Sequence, residues 1–353
     1  MRYQEDIKLN ECAVCKEKKL ISKILKVCKD CIIERFDQSL EFIKKAHNFV
    51  KEKYSFCTQP LKEGKLSCNM CINNCKFEEG TKSICGLREF KNNKLDGPDS
   101  KNAKLFYYYD LLPTNCVASF ICGENKYTGY KNLAVFFYGC SFNCLFCQNS
   151  DWRNIPHHYV SLEELEKAID ETTKCICFFG GDPSCQIEFQ IEFSKRILRS
   201  KKVRICWETN GSFNPKYLDQ IMEIALKSKG CVKFDLKAFN KNLHFALCGV
   251  SNEFTLENFK RASFWTKKYS AFPLLVASTL LVPGYIDESE IESIAKFIAS
   301  LNKEIPYSLL GFSPNFFMKD IGFTSKNFAL KSYRIAKAVG LKYVNIGNTF
   351  ILK

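Results

Sequence analysis

Three cysteines in the segment FFYGCSFNCLFCQN, residues 136–149, are spaced as metal ligands often are. Cys140, Cys144 and Cys147 follow a run of aliphatic and aromatic residues, at intervals of four and three. Soft thiolate sulfur selects iron–sulfur clusters, zinc or copper(I). Three thiolates can hold three corners of an iron–sulfur cube and leave one iron open to a substrate or cofactor. The alternatives are three unliganded thiols, or a zinc site that borrows a histidine, either His157 or His158.

A second group of cysteines lies near the N-terminus, where Cys12 and Cys15 form one C-x2-C pair and Cys28 and Cys31 form another. Two such pairs twelve residues apart have the spacing of a small structural zinc site. About 30 residues cannot bury enough surface to fold alone, so a metal ion is expected to hold them together. A rubredoxin-like iron site is the alternative.

A third group has the spacing C-x2-C-x3-C-x9-C and comprises Cys68, Cys71, Cys75 and Cys85. Four thiolates can hold zinc or a second, fully ligated iron–sulfur cluster. We favour zinc or a structural role; a cluster here would act as an electron relay.

Of the other nine of the twenty cysteines, most of the late ones lie in apolar runs, where a thiol packs as a small hydrophobe. Two of them, Cys116 and Cys122, lie near the expected barrel entrance and are further candidate ligands. The nine are Cys57, Cys116, Cys122, Cys175, Cys177, Cys185, Cys206, Cys231 and Cys248.

The elements that must position these residues alternate from about residue 130 onward. Near-continuous apolar strands alternate with amphipathic helices, which indicates a parallel sheet covered by helices. Six repeats predict an α/β fold, a partial (β/α)6 TIM-like barrel. The strands are expected at 132–139, 174–181, 203–211, 231–238, 274–284, 307–314 and 342–348, and the helices near 161–173, 187–202, 214–229, 255–269, 287–302 and 325–339.

The region before the barrel has a different pattern. We expect a zinc-ribbon-like knuckle and a helix (about 32–54) within 1–56, a Cys-rich metal-binding segment and linker over 57–129, and the barrel over 130–353. The aromatic segment at 105–115 is either a lid over the barrel mouth or core packing, and packing is favoured.

Composition narrows the class of protein. The chain has 353 residues, of which 46% are hydrophobic and 25% charged, as in ordinary globular proteins. The charged N-terminus lacks the apolar core of a signal peptide, and no apolar run is long enough to span a membrane, so a cytoplasmic protein is expected. The formal net charge of +14 makes RNA a possible partner.

The C-x3-C-x2-C spacing, with Phe146 before the last cysteine, resembles the signature of the radical S-adenosylmethionine (radical SAM) enzymes. The resemblance implies a [4Fe-4S] cluster on the three cysteines, with SAM chelating the open iron. It also implies a low-potential electron donor of the ferredoxin or flavodoxin type. Reductive cleavage of SAM would then give a 5′-deoxyadenosyl radical that abstracts hydrogen from a substrate.

Later motifs follow in the family's order at successive strand ends. FFGGDP at 178–183 resembles the GGEP motif, although Asp182 stands where Glu is usual; WETNG at 207–211, DLKAF at 235–239 and LLVPG at 280–284 resemble motifs of the pyruvate formate-lyase-activating branch. The SAM contacts that the resemblance implies are Phe146, Gly180, Gly181, Asp182, Pro183, Glu208, Thr209, Asn210, Asp235, Lys237, Ser278, Leu280 and Ser308.

Two of these positions depart from the activating enzymes. Ser278 stands where they tend to carry Arg, and Ser308 where they usually have His. Three functions therefore remain open. The first is a radical SAM oxidoreductase acting on an unknown substrate, for which a protein is one candidate. The second is a radical SAM enzyme that modifies tRNA, and the third is a non-catalytic zinc or iron–sulfur electron-transfer protein.

Overall fold

The computed structural model describes residues 9–58, 61, 63–114, 116–266 and 272–353. Its main sheet has eight strands in chain order, of which the last seven are parallel and the first pairs antiparallel with the second. Numbered within this sheet, they are β1 Leu105–Leu111, β2 Lys131–Phe137, β3 Thr173–Gly180, β4 Arg204–Thr209, β5 Val232–Asp235, β6 Leu275–Leu281, β7 Tyr307–Gly311 and β8 Val344–Gly347.

Helices connect the parallel strands, so the sheet curves into a partial barrel and the predicted α/β class is confirmed. No described helix is long and apolar enough to cross a membrane. The helices are α1 Lys29–Glu34, α2 Phe36–Lys53, α3 Leu162–Lys167, α4 Ile187–Ile197, α5 Leu218–Ser228, α6 Lys241–Cys248, α7 Glu253–Thr266, α8 Glu288–Leu301 and α9 Lys326–Ala338.

Local sequence signals set several helix boundaries. The hydroxyl of Ser161 accepts a hydrogen bond from the Glu164 amide at the start of α3, and the Asp287 carboxylate accepts one from the Glu290 amide at the start of α8. Both satisfy amide groups that a helix leaves unpaired in its first turn. The predicted helix at 32–54 is interrupted at Arg35 and becomes α1 and α2.

The aromatic segment, for which a lid and core packing were the alternatives, forms the edge strand β1, whose Leu105 belongs to the apolar core. Its seven residues pair in register with β2, from Leu105 opposite Phe137 to Leu111 opposite Lys131. Four of its seven side chains, Phe106, Tyr108, Tyr109 and Leu111, are exposed, whereas Leu105 is buried. The segment therefore extends the barrel wall, and the lid hypothesis is wrong for its described residues.

The N-terminal region packs directly on the barrel. The Tyr285 hydroxyl accepts a hydrogen bond of 3.1 Å from the Ser22 amide, and the Lys29 ammonium lies 2.5 Å from the Asp287 carboxylate. The side-chain amide of Asn143 donates to the backbone carbonyl of His47, on α2. Residues of the first cysteine group belong to the same apolar core as the barrel strands. The segment that carries the first cysteine group is thereby fixed to the loop that follows β6.

Candidate functional site

The candidate active site is a pocket of about 140 Å³ at the carboxyl ends of the parallel strands. This edge is where βα loops of a barrel meet and where barrel enzymes bind their ligands. The loop after β2 contributes the three cysteines, and the ends of β3 to β7 complete the wall. The residues lining it are Cys140, Phe142, Cys144, Phe146, Cys147, Gln148, Asn149, Trp152, Phe179, Gly180, Gly181, Asp182, Glu208, Thr209, Asn210, Asp235, Lys237, Ser278, Leu280 and Leu310.

Backbone hydrogen bonds hold the cysteine loop in place. The amide of Asn143 donates to the Cys248 carbonyl at 2.8 Å, and the Leu145 amide donates to the Leu247 carbonyl at 3.1 Å. The end of α6 thus fixes the loop between Cys140 and Cys147. Cys140 and Cys144 are buried, whereas Cys147 is partly exposed.

The three thiols are spread more widely than the ligands of one metal ion. In a tetrahedral zinc site with Zn–S bonds of about 2.3 Å, the sulfurs lie roughly 3.8 Å apart. Among the described residues, the four N-terminal cysteines are the one group whose ligand atoms all lie within 4.8 Å of one another. His157 and His158 are exposed and belong to no such group. The arrangement of these three thiols therefore does not match a single zinc ion.

Two cations, the buried Arg153 and the partly exposed Lys237, lie beside the thiols. Arg153 is buried, hydrogen-bonds to Asn143, and leaves its Nη1 without a hydrogen-bond partner in the described structure. The Cys248 thiol, then Lys237 and Arg153, lower the pKa of Cys144, whereas burial raises the pKa of Cys147 despite Arg153. A cluster with three thiolates is anionic, so these cations suit the group that the loop would hold.

Two glycines let the end of β3 approach the cysteine loop. Gly180 has a φ of +123°, which residues with a side chain rarely adopt. A Cβ atom on Gly181 would lie 2.3 Å from the Gly139 carbonyl oxygen and 2.7 Å from the Cβ of Trp152. The Gly181 amide donates to the Phe137 carbonyl at 2.9 Å. The two glycines therefore allow the backbone at the end of β3 to form part of the pocket wall.

Asp182 is buried and ties the end of β3 to the end of β4. Its carboxylate accepts hydrogen bonds from the amides of Ser184 at 2.7 Å and Asn210 at 2.6 Å, and from the Thr209 hydroxyl at 3.1 Å. Burial raises the pKa of Asp182, although these donors oppose that shift. The Asn210 side chain in turn donates to the Ser141 hydroxyl at 2.8 Å in the cysteine loop.

Asp235 and Lys237 form an ion pair at the end of β5. The Lys237 ammonium lies 3.0 Å from the Asp235 carboxylate, whose other oxygen accepts a hydrogen bond of 2.6 Å from Ser278. Burial lowers the pKa of Lys237, but Asp235 and Cys144 outweigh it and raise that pKa well above its ordinary value. Lys237 therefore faces the pocket in its charged form.

Comparisons with known proteins agree with this geometry. Residues 134–298 match the Radical SAM superfamily. The pyruvate formate-lyase 1-activating enzyme of Escherichia coli is 30% identical over 177 residues, which cover 48% of this chain and 68% of that enzyme. The chain belongs to the radical SAM superfamily. Its relatives include enzymes named as activating enzymes, which agrees with the pyruvate formate-lyase-activating branch.

Two further proteins are similar to this radical SAM chain. An uncharacterized protein of Methanocaldococcus jannaschii is 27% identical over 312 residues, covering 82% of this chain and 83% of that protein. A solved domain of a pyruvate-formate lyase-activating enzyme from Bacteroides vulgatus is 24% identical, with a TM-score of 0.42. It covers 50% of this chain and 99% of the domain. The first similarity extends beyond the radical SAM barrel into the N-terminal region.

Most of the predicted SAM contacts of this radical SAM chain line one pocket, but two do not. Pro183 lies behind the pocket wall, and Ser308 is fully buried beside Asn345. The sequence interpretation missed several lining residues because their types are common in cores and loops. These are Phe142, Gln148, Asn149, Trp152, Phe179 and Leu310.

The first N-terminal cysteine group is brought together as predicted. Cys12, Cys15, Cys28 and Cys31 converge within 4.8 Å, and the Cys15 and Cys28 sulfurs are 3.9 Å apart. The Cys28 amide donates to the Cys12 sulfur. Four converging thiols have the geometry of a mononuclear zinc or iron site.

The second cysteine group is rearranged by a residue that the spacing did not indicate. The Cys185 thiol, two residues after Pro183, is hydrogen-bonded to both Cys71 and Cys85. Cys75 instead packs with Cys68 in a small apolar cluster around Phe77. The Cys185 carbonyl accepts a hydrogen bond from Arg88 at 2.9 Å. The second group therefore meets the barrel directly behind the Gly180–Pro183 strand end.

Proposed function

We propose that this protein binds SAM at a [4Fe-4S] cluster, cleaves it reductively and abstracts hydrogen from a substrate. The observation that carries the proposal is one pocket in which three spread thiols, a glycine strand end and an Asp–Lys pair meet. Superfamily membership supports the same chemistry.

Each element of the pocket has a distinct task in this proposal. Cys140, Cys144 and Cys147 would hold the cluster, and the strand end at Gly180 and Gly181 would present backbone groups to the methionyl part of SAM. When bound, the cluster and SAM supply a 5′-deoxyadenosyl radical for hydrogen abstraction. The charged groups of the Asp235–Lys237 pair provide an acceptor and a donor for the polar groups of SAM.

Aromatic side chains would keep this chemistry away from solvent. Phe142 and Trp152 are buried, and both line the pocket together with Phe179. The Trp152 ring stacks on Phe56, with centroids 5.5 Å apart and planes inclined by 2°. A dry, apolar wall limits the donors that can quench a reactive radical. The N-terminal segment therefore helps to close the pocket from behind.

The substrate class that we propose is a protein. Relatives on the activating-enzyme branch carry names of enzymes that activate other proteins, pyruvate formate-lyase among them. Ser278 stands where that branch tends to carry Arg, and its hydroxyl donates a hydrogen bond to Asp235. Ser308 stands where the branch usually has His, and it lies outside the pocket. Neither serine therefore offers a substrate the free polar group that an Arg or His would offer. A substrate different from those of the activating enzymes is expected to follow from this difference.

We also propose a zinc ion at the first N-terminal group. The four thiols converge as zinc ligands do, and they lie where the loop after β6 is anchored. In this role the ion holds the short N-terminal segment in its folded state.

Electron paramagnetic resonance of the reduced, reconstituted protein tests the SAM site. Adding SAM should shift the g values of the cluster in the wild-type protein, because a ligand at the open iron changes its electronic structure. In Cys140→Ala/Cys144→Ala/Cys147→Ala the SAM-dependent shift should be absent, and in Ser308→Ala it should appear as in wild type. A wild-type spectrum unchanged by SAM would contradict the proposal.

A further inference from the structure

A second cavity lies inside the barrel, beneath the candidate active site. It has a volume of about 280 Å³, far above the ~10–15 Å³ that one water needs. Six thiols line this space, which we name the thiol chamber: Cys116, Cys122, Cys175, Cys177, Cys206 and Cys231. Phe179 and Glu208 line both the thiol chamber and the pocket above it, so the two cavities share a wall.

Three of the thiols form a row across adjacent strands. Cys177 on β3 pairs directly with Cys206 on β4, and the register between Trp207 and Val232 places Cys206 beside Cys231 at the start of β5. Neighbouring strands are about 4.8 Å apart, so the row presents thiols at regular intervals to the same interior. The sulfurs of Cys206 and Cys231 lie 3.9 Å apart.

An ion pair between a buried lysine and a partly exposed glutamate lies one layer above this row. The Lys233 side chain is 2% exposed, and its ammonium lies 2.8 Å from the Glu208 carboxylate. The same ammonium donates to the sulfurs of Cys116 and Cys177, each at 3.2 Å. Cys116 reaches the chamber from the segment that precedes β2, opposite the row. The Lys233 ammonium therefore contacts one sulfur from the segment before β2 and one from β3.

These thiols do not behave as the small core hydrophobes that their sequence context predicted. None of the six belongs to the apolar core cluster of the described residues, although Cys140, Cys144 and Cys248 do. All six are partly exposed rather than fully buried. The apolar neighbours in sequence point into the core, while the cysteines alternate with them and point into the chamber.

We propose that the thiol chamber is the site of a further iron–sulfur cluster, with Cys177, Cys206, Cys231 and Cys116 as its ligands. Soft thiolates select zinc, copper(I) or iron–sulfur clusters. Outside the N-terminal group, no described set of three ligand atoms converges within 4.8 Å, as a single ion would require. A row of three thiols, a fourth thiol that accepts from the same ammonium as Cys177, and a cavity of about 280 Å³ instead suit a polynuclear centre.

The buried ammonium gives the site a means of balancing charge. A cluster on four thiolates is anionic, and an isolated anion would be costly to bury. Lys233 already donates to two of the proposed ligands, and hydrogen bonds to the sulfurs are one way a protein sets the properties of such a cluster. This inference does not depend on SAM cleavage, because it concerns a separate set of thiols.

The test counts iron and acid-labile sulfide per chain after anaerobic reconstitution. The background protein is full-length and carries Cys140→Ala/Cys144→Ala/Cys147→Ala and Cys71→Ala/Cys85→Ala, which remove the other candidate clusters. This background should retain roughly two to four iron atoms with matching sulfide, as one cluster contains. Acid-labile sulfide distinguishes a cluster from a mononuclear iron at the N-terminal group, because a mononuclear iron site contains no inorganic sulfide.

Adding Cys177→Ser/Cys206→Ser/Cys231→Ser to the background should remove the remaining iron and sulfide. Cys175→Ser, two residues away on the same face of β3, is the matched control and should keep both. Circular dichroism shows whether each variant is folded. If the triple variant does not fold, the single Cys206→Ser must alter the visible absorption of the background protein. Iron and sulfide retained in a folded triple variant, an unchanged Cys206→Ser spectrum, or a background without sulfide would overturn the proposal.

Discussion

The carboxylate of Asp182 accepts a 2.6 Å hydrogen bond from the backbone amide of Asn210, which links the ends of two neighbouring strands. The side-chain amide of Asn210 also lies 3.9 Å from the Cys140 sulfur. The residue that stands in place of the usual Glu is therefore part of the framework beneath the cysteine loop. Its shorter side chain reaches the adjacent strand end and accepts hydrogen bonds there from Thr209 and Asn210.

Asp182→Ala should lower the free energy of unfolding by about 2–4 kcal/mol. The substitution leaves the buried amides of Ser184 and Asn210 without their acceptor, and an unsatisfied buried donor costs about 1–3 kcal/mol. Denaturant midpoints measure the change, with the exposed Asp219→Ala as control. Equal midpoints for the two variants would show that Asp182 does not hold the strand ends together.

Gly181→Ala should destabilise the fold by about 1–3 kcal/mol, as overpacking of a close contact does. The added methyl group would be 2.3 Å from a backbone oxygen, which cannot rotate away as a flexible side chain can. Gly322→Ala is the matched control, since nothing lies within 4 Å of its added methyl group. Thermal melting compares the two variants, and a Gly181→Ala protein that melts with the control would contradict the close approach.

Lys237→Met should weaken SAM binding about 10- to 100-fold, or roughly 1.4–2.7 kcal/mol. The change removes the ammonium that pairs with Asp235 and leaves that carboxylate without its counter-ion in the pocket. Calorimetric titration of the unreduced, cluster-loaded protein measures affinity without turnover. Ser308→Ala, outside the pocket, should bind SAM as wild type does. Equal SAM affinities of all three proteins would show that the Asp235–Lys237 ion pair does not contribute to SAM binding.

Stability should fall as the pH drops from 7 to 5, in part through His47. Burial lowers the pKa of His47 from 6.5 to about 4, so the unfolded chain takes up a proton in this range while the folded protein does not. Linkage gives about 2 kcal/mol for this one group. Denaturant unfolding at both pH values should show a smaller loss in His47→Gln than in wild type. The same pH dependence in both proteins would contradict this assignment.

The strand ends could be predicted from the sequence because each motif is contiguous. Gly180 to Asp182 and Asp235 to Lys237 each lie at the end of an apolar run, and parallel strands bring such ends to one edge. The spacing of the four cysteines between Cys12 and Cys31 was likewise sufficient to predict that their thiols converge, because a short segment leaves few ways to arrange four thiols. Local sequence therefore located the pocket and the first metal site.

The other cysteines could not be assigned in this way because their partners depend on strand register and long-range packing. Cys206 and Cys231 are 25 residues apart in sequence, and only the pairing of β4 with β5 places them side by side. Cys185 reaches Cys71 and Cys85 because the segment before the barrel docks behind β3. Neither contact can be predicted from the spacing of the cysteines in the sequence.

The most direct test of the account is the formation of 5′-deoxyadenosine. The reconstituted protein is incubated with SAM and dithionite without oxygen, and the product is quantified by chromatography. Wild type should form 5′-deoxyadenosine, and Cys140→Ala/Cys144→Ala/Cys147→Ala should form none while keeping the zinc of its N-terminal group. A fully iron-loaded wild-type protein that binds no SAM and forms no 5′-deoxyadenosine would show that the chain is a metal-binding or electron-transfer protein.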